Sequence, residues 1–167
     1  MGWVFAYGSL MGDAALRHFS SRPAHLPGYH RAFSHTSTRR WGRPDEPCPT
    51  VGLASGGECW GVAFQIPPEE HAAVLRALER REGASERRRE TLAVETPDGT
   101  VDAWVWVSRN GRAEVREGDP ALLEARLRSA HGTVGTGSEY VRALVQALEL
   151  HGLRDPLVDA LWARLRS

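Results

Sequence analysis

Strand-like and helix-like periodicities are segregated along this chain, strands over the first two-thirds and helices over the last third. That order limits the fold more than any single residue does. A doubly wound parallel sheet would interleave the two kinds of segment, so the pattern predicts an α+β class. Trp3 to Tyr7 alternates large and smaller apolar residues and stops at Gly8, as a buried strand followed by a tight loop does. Thr50 to Ala54 and Glu58 to Ile66 read as a strand pair joined through Ser55-Gly56-Gly57. Arg89 to Thr96 and Val101 to Arg109 form the clearest hairpin, turning on Pro97-Asp98-Gly99. Between these, Arg22 to Pro49 is rich in Pro, Arg, His and Ser and reads as mixed strands and loops.

Helix signals fall elsewhere. Asp13 is predicted to cap a short helix through Phe19. Pro67-Pro68 opens a helix running to about Glu82, with Gly83 placed to end it. Asp-Pro steps at 119–120 and 155–156 mark two further starts. Between them, Val141, Leu144, Val145 and Leu148 recur at helical spacing, and Gly152 follows as a stop.

A length of 167 residues fits one domain, residues 1–167, able to bury a single core. Lys plus Arg equals Asp plus Glu, 21 against 21, so no net field favours nucleic acid or a membrane surface. The apolar N-terminus has no basic flank and is too short for a signal peptide or a span. Cys48 and Cys59 are the only cysteines, which gives neither a disulfide framework nor a zinc spacing. These features predict a cytoplasmic protein in a reduced setting.

Two features are candidates for chemistry. The first is the strand end Tyr7-Gly8-Ser9-Leu10, where a glycine lets the backbone turn sharply and aim successive N–H groups at an anion. Ser9 adds a hydroxyl and Tyr7 a phenol; a simple strand-ending turn is the plainer alternative. The second is Glu82. At about 100° per residue, Val74, Leu75 and Leu78 define an inward stripe, and Glu82 lies roughly 33° from its centre while Glu79 lies roughly 93° away. Burial and the negative end of the helix dipole both disfavour the charged form of such a carboxylate, which suits a group that takes up and releases a proton. A frayed last turn, or an ion pair with Arg80, Arg81 or Arg87, is the alternative.

Four segments, in order, resemble the γ-glutamylcyclotransferase-like superfamily, and most closely its ChaC-like branch. They are Val4 to Met11; Tyr29 to Phe33 with Ser34-His35-Thr36-Ser37; Cys59 to Phe64 with Leu78-Glu79-Arg80-Arg81-Glu82; and Gly135 to Val141 with Leu153-Arg154-Asp155. The resemblance implies a small mixed β-barrel with packed helices and a C-terminal helical region. It implies a cofactor-independent enzyme that cyclises a small γ-glutamyl substrate, glutathione first, to 5-oxoproline. By it, Glu82 is the catalytic carboxylate, Tyr7, Gly8, Ser9 and Leu10 bind the γ-glutamyl head group, and Tyr140 is a contact within the pocket. ChaC-like sequences commonly carry a Gly-Tyr or Ser-Tyr pair shortly after the catalytic Glu, whereas this chain has Ala84-Ser85-Glu86-Arg87-Arg88.

Other signals point to bland roles. Arg80, Arg81 and Arg87 to Arg89 are interrupted by Glu82, Glu86 and Glu90 and read as a solvated, ion-paired face rather than a nucleic-acid site. His30 with His35 lacks a third partner for a metal. Trp104 and Trp106 read as one side of a hairpin. Arg39, Arg40 and Arg43 are candidates for carboxylate recognition. No compelling Ser/His/Asp or Cys/His set is evident. The competing functions are a cyclotransferase for γ-glutamyl amines or amino acids, and a non-catalytic small-molecule binding module. The oligomeric state is open.

Overall fold

The computed structural model describes residues 2–13, 20–82, 86–109 and 119–167. Five strands close into a barrel: β1 Gly2–Ala6, β2 Ser21–Ser37, β3 Cys48–Ile66, β4 Arg87–Thr96 and β5 Gly99–Ser108. Their order around it is β1-β3-β2-β4-β5. Closure comes from a parallel pairing of β1 with β5, Trp3 opposite Ala103, while the remaining pairs are antiparallel. A closed sheet has no open edge, and Val4, Leu26, Val62, Phe64, Val94 and Val105 on its strands are all fully buried. The expected α+β class and mixed barrel are both present.

Helices cover the outside: α1 His71–Glu82, α2 Pro120–Ser129, α3 Gly137–Leu150 and α4 Pro156–Leu165. Both Asp-Pro steps behave as read. Asp119 accepts from the N–H of Ala121 and Leu122, and Asp155 from those of Leu157 and Val158, each placing a proline in the first turn. On α3, Val141, Leu144, Val145 and Leu148 are all buried. The start of α3 carries a signal the sequence reading missed, a capping box. Glu139 N–H donates to Thr136 Oγ1 at 3.1 Å, and Thr136 N–H donates back to Glu139 Oε2 at 2.7 Å. The box fixes the helix directly before Tyr140. No helix among the described residues is long and apolar enough to cross a membrane.

One expectation needs correction. Thr50 to Ala54 and Glu58 to Ile66 are not a strand pair but parts of one strand, β3, which pairs with β2 along its length. Gly56 and Gly57 take positive φ, 94° and 69°, and the register slips beside them opposite Gly28, also at positive φ. They form a bulge that bends the long β2–β3 ribbon around the barrel instead of reversing it. The stretch from Arg22 to Pro49 is strand and loop, as expected: strand to Ser37, loop over 38–47, and the start of β3 at Cys48. On the N-terminal side, Ser9–Gly12 forms a 3₁₀ turn, with Asp13 just after it. The helix expected through Phe19 and the stop at Gly83 lie outside the described residues.

Both cysteines are buried and unpaired. Burial pushes the Cys48 thiol up to about 12 and the Cys59 thiol up to about 11, so neither forms appreciable thiolate at neutral pH. Titration of the native protein with a thiol-specific reagent at pH 8 is expected to show little reaction, and two equivalents after denaturation. Rapid labelling of the native protein would place a thiol at the surface.

Candidate active site

The end of β1, the first turn of the chain, the loop after β2 and the C-terminus of α1 converge on one cavity of about 750 Å³. Its wall includes the six residues to which the family resemblance gives a role: Tyr7, Gly8, Ser9, Leu10, Glu82 and Tyr140. Helical geometry separates the two glutamates as expected. The Glu79 side chain is 51% exposed and paired with Arg89, whereas that of Glu82 is 14% exposed and faces the cavity.

Glu82 has a cationic partner. Arg87, at the start of β4, donates from Nη1 to Glu82 Oε2 at 2.6 Å, and its side chain is only 17% exposed. Arg87 Nη2 donates to the carbonyl of Val51 at 3.1 Å, while the N–H of Val51 donates to the Tyr140 hydroxyl at 2.9 Å. One residue of β3 thus ties the carboxylate's partner to the tyrosine on α3.

The strand-end loop is held from both sides. Arg81 donates to Ser9 Oγ at 3.1 Å and to Asp13, linking α1 to the loop. Behind the loop, the Tyr7 hydroxyl donates to the carbonyl of Trp106 at 2.7 Å. Burial raises the Tyr7 and Tyr140 phenols well above the ordinary tyrosine range, so both remain neutral donors or acceptors. Arg31, 1% exposed at its side chain, donates to the Tyr7 carbonyl at 2.8 Å and to the Trp60 carbonyl at 2.7 Å, and pairs with Asp155. The other Asp155 oxygen caps α4. The strand-end loop is therefore braced by a buried charge pair anchored at the start of α4.

The basic cluster divides. Arg88 and Arg89 form surface pairs with Glu90 and Glu79, as expected, but Arg81 and Arg87 turn into the cavity. Arg39 and Arg40 stand at the cavity wall, where their carbonyls accept from the N–H groups of Thr133 and Val134. Arg43 instead pairs with Asp45 and Glu46. Trp106, read only as a hairpin face, also reaches the cavity.

One arrangement escaped the sequence reading. His35 Nε2 lies 2.8 Å from Ser108 Oγ, and His35 Nδ1 lies 3.2 Å from Glu86 Oε2, the order of a nucleophilic triad. These three come from β2, β5 and the turn before β4, so no short spacing advertises them. His35 and Glu86 line the cavity, but Ser108 does not and is 8% exposed. A serine with no access to the cavity has no carbonyl to attack, and the set reads as a satisfied polar group in the barrel wall.

A closed barrel with an inward carboxylate opposite a strand-end loop defines a fold of the γ-glutamylcyclotransferase kind. A crystal structure of a yeast γ-glutamyl cyclotransferase specific to glutathione superposes with a TM-score of 0.86 at 20% identity, covering 99% of this chain and 95% of that one. The chain belongs to the ChaC-like protein family, whose model matches residues 2–167. It is 33% identical over 168 residues to the glutathione-specific gamma-glutamylcyclotransferase of Escherichia coli K12, spanning 99% of this chain and 73% of that protein. It is also 31% identical over 176 residues to gamma-glutamylcyclotransferase 2-3 of Arabidopsis thaliana, spanning 98% and 88%.

Proposed function

We propose that this protein is a γ-glutamylcyclotransferase that releases 5-oxoproline from γ-glutamyl peptides, glutathione first among them, with Glu82 as acid and base. The observation that carries this reading is that Glu82, the one inward carboxylate of α1, faces the same cavity as the Tyr7–Leu10 loop. Kinship with relatives named for this reaction supports it.

The chemistry asks for positioning more than for a protein nucleophile. The substrate's α-amine attacks its own γ-carbonyl carbon, closing a five-membered lactam, and the γ-amide C–N bond breaks to free the leaving amine. No water is consumed. In going from α-ammonium to lactam N–H the attacking nitrogen gives up two protons to Glu82 in turn, and the leaving nitrogen takes up two and departs as an ammonium, so the transfers balance. Backbone N–H groups of the Gly8–Leu10 turn, the first of which a short 3₁₀ segment leaves without internal partners, are suited to an anionic oxygen of the substrate. Tyr140 and Tyr7, both neutral, add two phenol side chains to the wall.

A substrate panel assayed for 5-oxoproline tests the reading: glutathione, γ-glutamylcysteine, other γ-glutamyl dipeptides and γ-glutamyl amines. Release from at least one peptide substrate is expected. Binding of γ-glutamyl compounds with no 5-oxoproline from any of them would make the protein a binding module.

A further inference from the structure

The γ-glutamyl head group carries its α-ammonium and α-carboxylate on one carbon, so a site for it needs an anion and a cation side by side. The cavity holds such a pair in Glu82 and Arg87, 2.6 Å apart and both largely buried. Arg87 also has unused donor capacity. A guanidinium offers five N–H donors, and the bonds to Glu82 and the Val51 carbonyl account for two of them. Its Nε is buried and has no hydrogen-bond partner among the described residues. A buried N–H without an acceptor is costly, and it marks Arg87 as incompletely satisfied by its protein partners.

Building on the cyclotransferase reading, we infer that Arg87 binds the substrate's α-carboxylate while Glu82 receives the adjacent α-ammonium. The two residues neutralise each other, and Arg81 Nε stands 3.7 Å from the other oxygen of Glu82. The substrate zwitterion replaces that contact with one partner for each, and the planar guanidinium suits a carboxylate bidentately. Placing the ammonium on Glu82 also places the attacking nitrogen on its base. The Gly8–Leu10 N–H groups are then left for the γ-carbonyl oxygen, where negative charge develops during attack. The alternative, in which the loop holds the α-carboxylate, leaves Arg87 acting only through Glu82.

The test pairs glutathione with 4-aminobutanoyl-cysteinylglycine, the same peptide without the α-carboxylate, whose cyclisation yields 2-pyrrolidinone. Wild type is expected to prefer glutathione by about 100-fold or more in kcat/KM, because a site built to bond a group rejects the analogue lacking it. In Arg87→Met that preference should fall below about fivefold, and Arg87→Lys, a point charge without the fork, should retain part of it. An undiminished preference in Arg87→Met, with both substrates slowed alike, would overturn the assignment and leave Arg87 a positioning residue. So would a wild type that does not discriminate. If Arg87→Met does not fold, as judged by its melting transition, Arg87→Lys decides by whether its preference drops at least tenfold. If the wild type turns over neither peptide, the cyclotransferase reading fails separately. Calorimetric affinities of the two peptides for wild type and Arg87→Lys then decide the Arg87 assignment on binding alone.

Discussion

Glu82→Gln is expected to lower kcat for 5-oxoproline release by about 10²–10⁴-fold, the range a positioned acid–base group supplies. The amide keeps the size of the side chain and an oxygen for Arg87, but it neither accepts the ammonium proton nor returns one to the leaving nitrogen. Binding of glutathione should persist, weakened by the loss of the charge opposite the α-ammonium. Glu79→Gln is the matched control, one helical turn away but 51% exposed and paired with surface Arg89, and it should leave turnover unchanged. Equal losses in the two variants would mean that the helix end, not the carboxylate at 82, is what matters. Retained turnover in Glu82→Gln would remove Glu82 from the mechanism.

Asp155→Ala is expected to be among the most destabilising single changes in the chain, at about 3–5 kcal/mol, because it strands Arg31 without its counter-ion at 1% exposure. It also removes the two bonds that cap α4, adding about 1 kcal/mol. Asp155→Asn keeps a capping oxygen and loses the charge, so it should recover the capping part only. Arg31 holds the Tyr7 carbonyl, and a loosened Arg31 should reach the substrate loop as well as the fold. Denaturant unfolding of the three proteins measures the first effect, and KM in the folded fraction measures the second. A loss below about 1 kcal/mol for Asp155→Ala would show that Arg31 is satisfied by its two carbonyl contacts.

Much of this architecture is legible in the sequence where it is local. The Asp-Pro steps, the Pro97-Asp98-Gly99 hairpin and the apolar stripe of α3 each depend on a few neighbouring residues, and each is where it was expected. The choice of Glu82 over Glu79 needed only the helical period. What hid was long-range. Residues 31–35 of β2 are buried consecutively, so no alternation marks them as strand, and Arg31, Ser34 and His35 look like surface residues. Their partners, Asp155 and Ser108, lie far along the chain. In β3 the exposed Ser55 to Glu58 imitate a hairpin turn because a bulge and a turn use the same glycines. In the sequence Arg87 is one of three arginines able to pair with Glu82 and one member of a basic cluster with the look of a solvated face. Its burial in the cavity depends on barrel closure, which brings β4 beside the end of α1.

The mechanism turns on whether the γ-glutamyl carbonyl is attacked by the substrate's own amine, and oxygen-18 water decides this most directly. Wild-type protein incubated with glutathione in that solvent should release 5-oxoproline and cysteinylglycine in equal amounts, the 5-oxoproline carrying no solvent oxygen. Glutamate bearing one solvent oxygen, formed at the rate of cysteinylglycine release and abolished by Ser108→Ala, would contradict the account and make the Ser108–His35–Glu86 set a hydrolytic triad.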